Sequence, residues 1–304
     1  MLHNLVLLLL PLLCLSLYTV DISAASHGRV VPEEVEIVFD ADNWKVHIPI
    51  GTSCAVEVRY VPEPQSVTCL SGAAVVPYSY YKGILRFEGT ECKTDGQACN
   101  VFLEWPENRW AKTIQGFEAD DKTMSPMPDG LLVTGSSTAR MWDVGKFFPD
   151  SNTLNRGFGG SQYWDLVCYA ETILGKHSPE TLVVYSGDND ISAGKSPEWA
   201  AADCLTAVER FRRIAPQSRI VVLGAKPSDS RWELYPAMQA ANRLVQQQVM
   251  DLEQVYLLDL GPLLLGTDGK PDPRCYIEDA LHLSEAGYSL WTDALLDFLQ
   301  KIQK

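Results

Sequence analysis

Positive charge, histidine and long apolar runs are all scarce in this 304-residue chain. With 25 Lys+Arg against 39 Asp+Glu, the formal net charge is −14. A surface so acidic repels phosphate backbones and anionic lipid headgroups, which argues against general nucleic-acid binding and against membrane-surface attachment. It reads most simply as solubility in salty surroundings. Beyond the N-terminus no stretch approaches the roughly 18 uninterrupted apolar residues of a membrane span, so the mature chain is expected to be soluble. No C-x-x-C pair and no histidine cluster is present, which leaves structural zinc without its usual ligands. Internal repeats and low-complexity tracts are also absent. What remains, 46% hydrophobic and 21% charged residues, is ordinary globular composition. The length suits one large domain or two ordinary ones.

The N-terminus carries an apolar run from Leu5 to Tyr18, followed by small residues at Ser23, Ala24 and Ala25. The run is short for a membrane span, and the pattern predicts a signal peptide over residues 1–25, cleaved after Ala25. Cys14 follows Leu12 and Leu13 and lacks the small residue that a lipid-attachment site wants, so export without a lipid anchor is expected, to the outside or the periplasm. Seven cysteines follow Cys14: Cys54, Cys69, Cys92, Cys99, Cys168, Cys204 and Cys275. In oxidising surroundings disulfides are the first expectation, with Cys92–Cys99 and Cys54–Cys69 as plausible local pairs and at least one thiol left over.

Two differently patterned halves follow. Between Val35 and Trp105 short alternating segments such as Val56-Glu57-Val58-Arg59-Tyr60 have the period of half-buried strands. Gly51, Pro62, Pro64, Gly72 and Asp95-Gly96 punctuate them, and residues 26–115 read as a small all-β sandwich. The acidic, proline-containing stretch 116–130 reads as a linker or an ordered loop. From Leu131 the pattern becomes apolar strand, helix, apolar strand. Strands are predicted at Leu131–Thr134, Thr153–Arg156, Leu182–Tyr185, Ile220–Leu223 and Val255–Asp259, rich enough in Val, Ile and Leu to be buried on both faces of a parallel sheet. Helices are predicted at Tyr163–Leu174, Glu198–Ile214 and Glu233–Leu252. A final helix follows Ser284, with Leu290, Trp291, Ala294, Leu295, Phe298, Leu299 and Ile302 in one apolar stripe. Residues 131–304 therefore read as an α/β domain, a three-layer α/β/α sandwich with about five parallel strands.

Ligands bind such sheets at the carboxyl ends of the strands. Four segments fall there: Gly135-Ser136-Ser137, Gly157-Phe158-Gly159-Gly160-Ser161, Gly187-Asp188-Asn189-Asp190, and Asp279-Ala280-Leu281-His282 before the last helix. Acyl transfer by a serine needs an imidazole to take its proton and a carboxylate to hold the ring. Of the five histidines, only His282 follows a carboxylate at short spacing on a loop entering a helix. His27 lies near the mature terminus, His47 in a β-domain strand, and His177 beside Ser178-Pro179 reads as a surface turn residue. Gly160 and Asn189 offer a backbone N–H and a side-chain amide to an oxyanion. Each has a bland alternative, turn geometry for the glycine and capping for the asparagine.

These segments resemble the blocks of the GDSL/SGNH hydrolase family, carried here by Gly-Ser-Ser-Thr-Ala-Arg-Met-Trp (135–142), Asn-Arg-Gly-Phe-Gly-Gly-Ser (155–161), Tyr-Ser-Gly-Asp-Asn-Asp-Ile (185–191), Lys-Pro-Ser (226–228) with Arg231-Trp232, and Asp-Ala-Leu-His-Leu (279–283). The resemblance implies Ser137 as nucleophile, His282 as general base and Asp279 as its orienting carboxylate. The N–H groups of Ser137 and Gly160 and the Asn189 amide would be the oxyanion donors. It implies ester hydrolysis with no metal or organic cofactor. Ser136 stands where the family motif has Asp, leaving two adjacent serines as candidates, of which position favours Ser137. Export, acidity and a preceding β-domain resemble secreted carbohydrate esterases, so small acyl esters, acetyl above all, on a small molecule or a polysaccharide are the expected substrates. Exposed Tyr78, Tyr80 and Tyr81 could contact sugar, and Arg140, Trp142, Arg231 and Trp232 either line the site or pack as scaffold. The alternatives are a lysophospholipase or lipase of the same fold and a binding protein on a hydrolase scaffold.

Overall fold

The computed structural model describes residues 110–302 in full and, between Val20 and Glu104, the backbone of eight strands. The chain divides into two units, Met1–Asn108 and Arg109–Lys304. In the first, the strands are β1 (Val20–Ser23), β2 (Glu36–Asp40), β3 (Asn43–Ile48), β4 (Ala55–Arg59), β5 (Ser66–Cys69), β6 (Tyr78–Tyr81), β7 (Ile84–Phe87) and β8 (Cys99–Glu104). They pair antiparallel in two four-stranded sheets, ordered β1-β4-β7-β6 and β2-β3-β8-β5. β1 falls within the stretch read as a leader. The apolar run Leu5–Tyr18, the cleavage site after Ala25, His27, Cys54 and Cys92 lie outside the described residues. So do the side chains of His47, Cys69, Cys99, Tyr78, Tyr80 and Tyr81.

The second unit is built on five parallel strands, β9 (Leu131–Gly135), β10 (Thr153–Gly157), β11 (Thr181–Tyr185), β12 (Arg219–Leu223) and β13 (Val255–Leu258), in the order β10-β9-β11-β12-β13. Each predicted strand is present, within a residue or so at either end. The continuous apolar runs are explained by burial: Leu132, Val133, Leu182, Val183, Val221 and Val222 are all fully inaccessible, as strands covered by helices on both faces require. The order reverses between β9 and β11, and a crevice opens outside the carboxyl ends of the strands at such a switch point. Helices flanking the sheet are α1 (Ala111–Thr123), α2 (Ser137–Arg140), α3 (Val144–Phe147), α4 (Tyr163–Cys168), α5 (Ala170–Leu174), α6 (Asp188–Ser192), α7 (Pro197–Ile214), α8 (Tyr235–Val249) and α9 (Glu285–Ile302).

Two helices differ from expectation in their ends. The predicted Tyr163–Leu174 helix is α4 and α5, parted at Tyr169, which leaves helical geometry (φ −111°, ψ 15°) and sets its ring against Phe158 with centroids 6.2 Å apart. The predicted Glu233–Leu252 helix begins at Tyr235, where Pro236 supplies the pre-set φ and missing N–H that suit a first turn; a 3-10 stretch, Asp229–Leu234, precedes it. The last helix starts as its sequence suggests, with Ser284 Oγ accepting from the Gly287 N–H at 3.3 Å. Its stripe packs Trp291 and Leu295 into the core, while Leu290 at the edge is exposed.

The stretch read as a linker or ordered loop, 116–130, is helical over its first half. α1 buries Ile114 and Phe117, and Phe117 and Trp110 meet Phe158 edge-on at 6.5 and 5.6 Å. Polar contacts fix the rest. Asp121 bonds both Arg156 and, at 2.9 Å, His177 Nε2–H, and the other ring nitrogen, Nδ1, accepts the Met127 N–H at 3.0 Å. His177 is thus a buried staple and not a surface turn residue. Arg156 is itself buried, its guanidinium 4.8 Å from the Phe117 ring. Removing Asp121 would strand that charge, so Asp121→Ala should cost about 3–5 kcal/mol in urea unfolding. An unchanged transition midpoint would show that α1 is held without the Asp121 carboxylate.

Candidate active site

Four loops at the carboxyl ends of the strands assemble the site. The first turns sharply because Gly135 sits at φ +129°, where a Cβ would lie 1.7 Å from the Tyr185 carbonyl oxygen. The chain then enters α2, and the two serines diverge. Ser136 donates its N–H to that same carbonyl at 2.8 Å; its side chain is fully buried, and the hydroxyl has no partner among the described residues. Ser137 is partly exposed and places Oγ 2.8 Å from His282 Nε2. As the first residue of a helix, its N–H has no intrahelical acceptor and is available to a ligand. Asn155, whose amide donates to the Ala139 and Trp142 carbonyls while Oδ1 accepts the Gly157 N–H, ties this turn to the next loop.

The Asp279–His282 loop is built around its carboxylate. Oδ1 accepts the N–H groups of Leu281 and His282, both at 2.9 Å, and Oδ2 lies 2.5 Å from His282 Nδ1. The turn forces Ala280 to φ +54°, a left-handed conformation that costs a non-glycine residue free energy and that clusters at functional sites. Burial pushes the Asp279 carboxyl up, but the His282 ring and the two backbone donors outweigh it and hold it at about 2. An ionised Asp279 fixes the proton on Nδ1, so Nε2 presents a lone pair to Ser137.

Gly160 and Asn189 stand on the facing loops. Gly160 has φ +80°, and Asn189 donates from Nδ2 to the Ser161 carbonyl at 3.0 Å. Asp190, next in line, is buried; it accepts the Tyr163 N–H and pairs with Lys195 at 2.8 Å. Burial alone would push the Lys195 ammonium down, but Asp190 and Asp203 hold it well above its ordinary value. Trp142 is core, 1% exposed, stacked on Tyr288 and donating Nε1–H to Thr292 Oγ1 at 3.2 Å. Arg140 is exposed. Arg231 donates to Asn189 Oδ1 at 3.0 Å, and Trp232 stacks on Tyr235. Asn155 and Lys226, whose ammonium donates to the Leu281 carbonyl at 2.6 Å, open two of the segments that carry the family resemblance, but their supporting roles, like that of His177, come from the structure. Among the described residues, no three His, Cys, Asp or Glu side chains are placed to hold a metal ion. Cys204 and Cys275 are buried thiols.

A hydroxyl, an imidazole and a carboxylate linked in series by hydrogen bonds are what acyl transfer by a serine requires. The family model of GDSL-like lipases and acylhydrolases matches residues 133–290, just over half of the chain and every loop described above. The chain belongs to that family. No curated relative matches the sequence. Among solved structures, the GDSL-like hydrolase resembles a candidate platelet activating factor protein from Streptococcus pneumonia (TM-score 0.57, 21% identity, covering 62% of this chain and 91% of that one). It also resembles a candidate acylhydrolase from Bacteroides fragilis NCTC 9343 (TM-score 0.56, 15% identity, 65% and 100%) and a GDSL-like lipase from Bacteroides thetaiotaomicron VPI-5482 (TM-score 0.51, 14% identity, 62% and 98%). These likenesses cover the three-layer α/β/α fold of the family. The chain is an ester hydrolase of the GDSL class.

Proposed function

We propose that the protein is an exported serine esterase that removes small acyl groups, acetyl above all, from carbohydrate alcohols through an acyl-enzyme on Ser137. The observation that carries this is the hydrogen-bonded chain Ser137 Oγ, His282 Nε2, His282 Nδ1, Asp279 Oδ2, with links of 2.8 and 2.5 Å. Oγ attacks the ester carbonyl carbon as its proton passes to Nε2. The carbonyl oxygen, now negative, is met by the N–H groups of Ser137 and Gly160 and by the Asn189 amide. Collapse breaks the bond to the alcohol, which leaves with the proton from Nε2. Water then repeats the sequence on the acyl-enzyme, gives its proton to Nε2 and releases the carboxylic acid.

Support for a short acyl group comes from what surrounds the loops. Among the described residues the exposed large apolar side chains, Met124, Met250, Leu263, Ile277, Leu290 and Leu296, are scattered along the chain; none stands on the segments carrying Ser137, Gly160 or Asn189, and Ile277 alone of them stands on the His282 loop. A lipase needs a contiguous apolar patch there. Among the described residues no helix is long and apolar enough to cross a membrane. Support for a sugar alcohol comes from a shallow hollow of about 370 Å³ whose lining includes Trp232, Glu233 and Gln239 alongside Pro236 and Leu265; it begins one residue beyond Arg231, which touches Asn189. The Trp232 ring, backed by buried Tyr235, beside a carboxylate and an amide suits a pyranose ring better than an acyl chain. Export is supported by the Leu5–Tyr18 run and the small residues up to Ala25.

The test is a chain-length series. Cleavage of p-nitrophenyl acetate should exceed that of p-nitrophenyl palmitate by about tenfold or more in kcat/KM, since among the described residues added methylenes find no contiguous apolar patch to repay their desolvation. A preference for the long chain would turn the assignment to a lipase.

A further inference from the structure

The segment between β12 and α8 contacts both halves of the site. Ala225 is anchored to α8 by a pair of bonds with Asn242, 2.9 and 3.1 Å. Lys226 Nζ then donates to the Leu281 carbonyl at 2.6 Å, the Pro227 carbonyl accepts the Tyr276 hydroxyl at 2.8 Å, and the Ser230 N–H donates to the Ala280 carbonyl at 3.2 Å. Three successive attachments therefore fall on the loop that holds Asp279 and His282, two of them at the strained Ala280-Leu281 turn. The segment ends at Arg231, which leaves helical geometry inside its 3-10 stretch (φ −130°, ψ 25°). From there its guanidinium donates to Asn189 Oδ1 at 3.0 Å and pairs with Asp188 at 3.3 Å.

The Arg231 contact has a directional consequence. An amide can present either end to the site, and a cationic donor accepts no hydrogen bond. Arg231 on Oδ1 therefore forces Nδ2, the donor end, to the opposite side, where it meets the Ser161 carbonyl and has a second N–H to offer. We propose that residues 226–231 are a positioning clamp for ester hydrolysis, in which Arg231 orients the Asn189 amide toward the oxyanion and Lys226 holds the His282 loop at the distance Ser137 requires. The inference rests on the reading of Ser137, His282 and Asn189 given above.

Lys226 is a costly residue to keep. It is fully buried; its neighbours are Asp188 from α6, Arg231 from its own segment, Asp279 from the base loop, and the Tyr276 ring, 5.7 Å from Nζ, with Tyr185 close by. Burial pushes its ammonium down to about 8 against the pull of Asp188 and Asp279. A lysine kept only for stability would not be expected there, since a folded-state value below the unfolded one means that the charged form weighs against folding at neutral pH and the penalty is relieved as pH rises through about 8 toward 10.5.

A double-mutant cycle on p-nitrophenyl acetate tests the Arg231 arm. Asn189→Ala should lower kcat about a hundredfold, the scale of a lost oxyanion donor, and Arg231→Met about tenfold with KM within about twofold. Because Arg231 acts through Asn189, the double variant should be no slower than Asn189→Ala. Arg231→Lys, which keeps a charge opposite Asp188, should fold with the wild-type Tm and still lose kcat. Losses that multiply, or an Arg231→Met enzyme with wild-type kcat beside a crippled Asn189→Ala, would overturn the clamp; a fully active Asn189→Ala would instead overturn the oxyanion reading on which it rests. For the other arm, Lys226→Met should lower kcat about tenfold while Tm stays level or rises. A fall in Tm with unchanged kcat would make Lys226 structural.

Discussion

Replacing Ser137 with alanine should lower ester turnover by about 10⁴-fold or more, leaving only what the oxyanion donors and binding provide. The same change one residue earlier should leave kcat within about threefold of wild type. The contrast follows from burial and geometry. Ser136 Oγ is inaccessible and unpartnered among the described residues, while Ser137 Oγ is partly exposed and 2.8 Å from a ring nitrogen. Ser136→Ala removes a buried hydroxyl that makes no bond, so stability should hold or rise by about 1 kcal/mol. Steady-state rates on p-nitrophenyl acetate, with circular dichroism to establish folding, measure both effects. The reverse pattern would move the nucleophile to Ser136.

Asp279→Asn should be nearly as damaging, about 10³–10⁴-fold in kcat. An asparagine amide facing His282 Nδ1 would donate a hydrogen where the carboxylate accepts one, moving the ring proton to Nε2 and leaving no lone pair for Ser137. The pH dependence separates this residue from its partner. Burial works against the Asp279 anion, but the bonds to His282 and Leu281 hold its carboxyl at about 2, below the ordinary 3.8. The carboxylate is therefore ionised throughout the working range, and the stability it contributes is present above about pH 4 and lost as pH falls through about 2. The wild-type acid limb in kcat/KM should accordingly carry no ionisation of Asp279 above pH 4. Two acid ionisations above pH 4 would mean that the carboxylate is not held as described.

The parallel sheet was legible because strands covered on both faces carry their burial in their own composition, as Leu182-Val183-Val184 does. The four site loops were legible because the carboxyl ends of such strands are where loops meet. Tertiary contacts decided the rest. α1 has only Ile114 and Phe117 to bury, too few for a helical stripe, and its other holds include Asp121 on Arg156 and His177, partners 35 and 56 residues away. Adjacent serines have identical chemistry in sequence, and only the depth of the Gly135 turn separates them. Lys226 and Arg231 sit in a segment with no periodicity, and their meaning lies in carbonyl and amide partners from two other loops.

The central claim is that acyl groups pass through Ser137 Oγ. Treating the protein with a serine-directed p-nitrophenyl phosphonate and mapping the modified peptide by mass spectrometry tests it directly. One adduct per chain on Ser137, unchanged in Ser136→Ala and absent from Ser137→Ala, is the expected result. An adduct on Ser136, or full turnover by a chain unmodified at Ser137, would contradict the account.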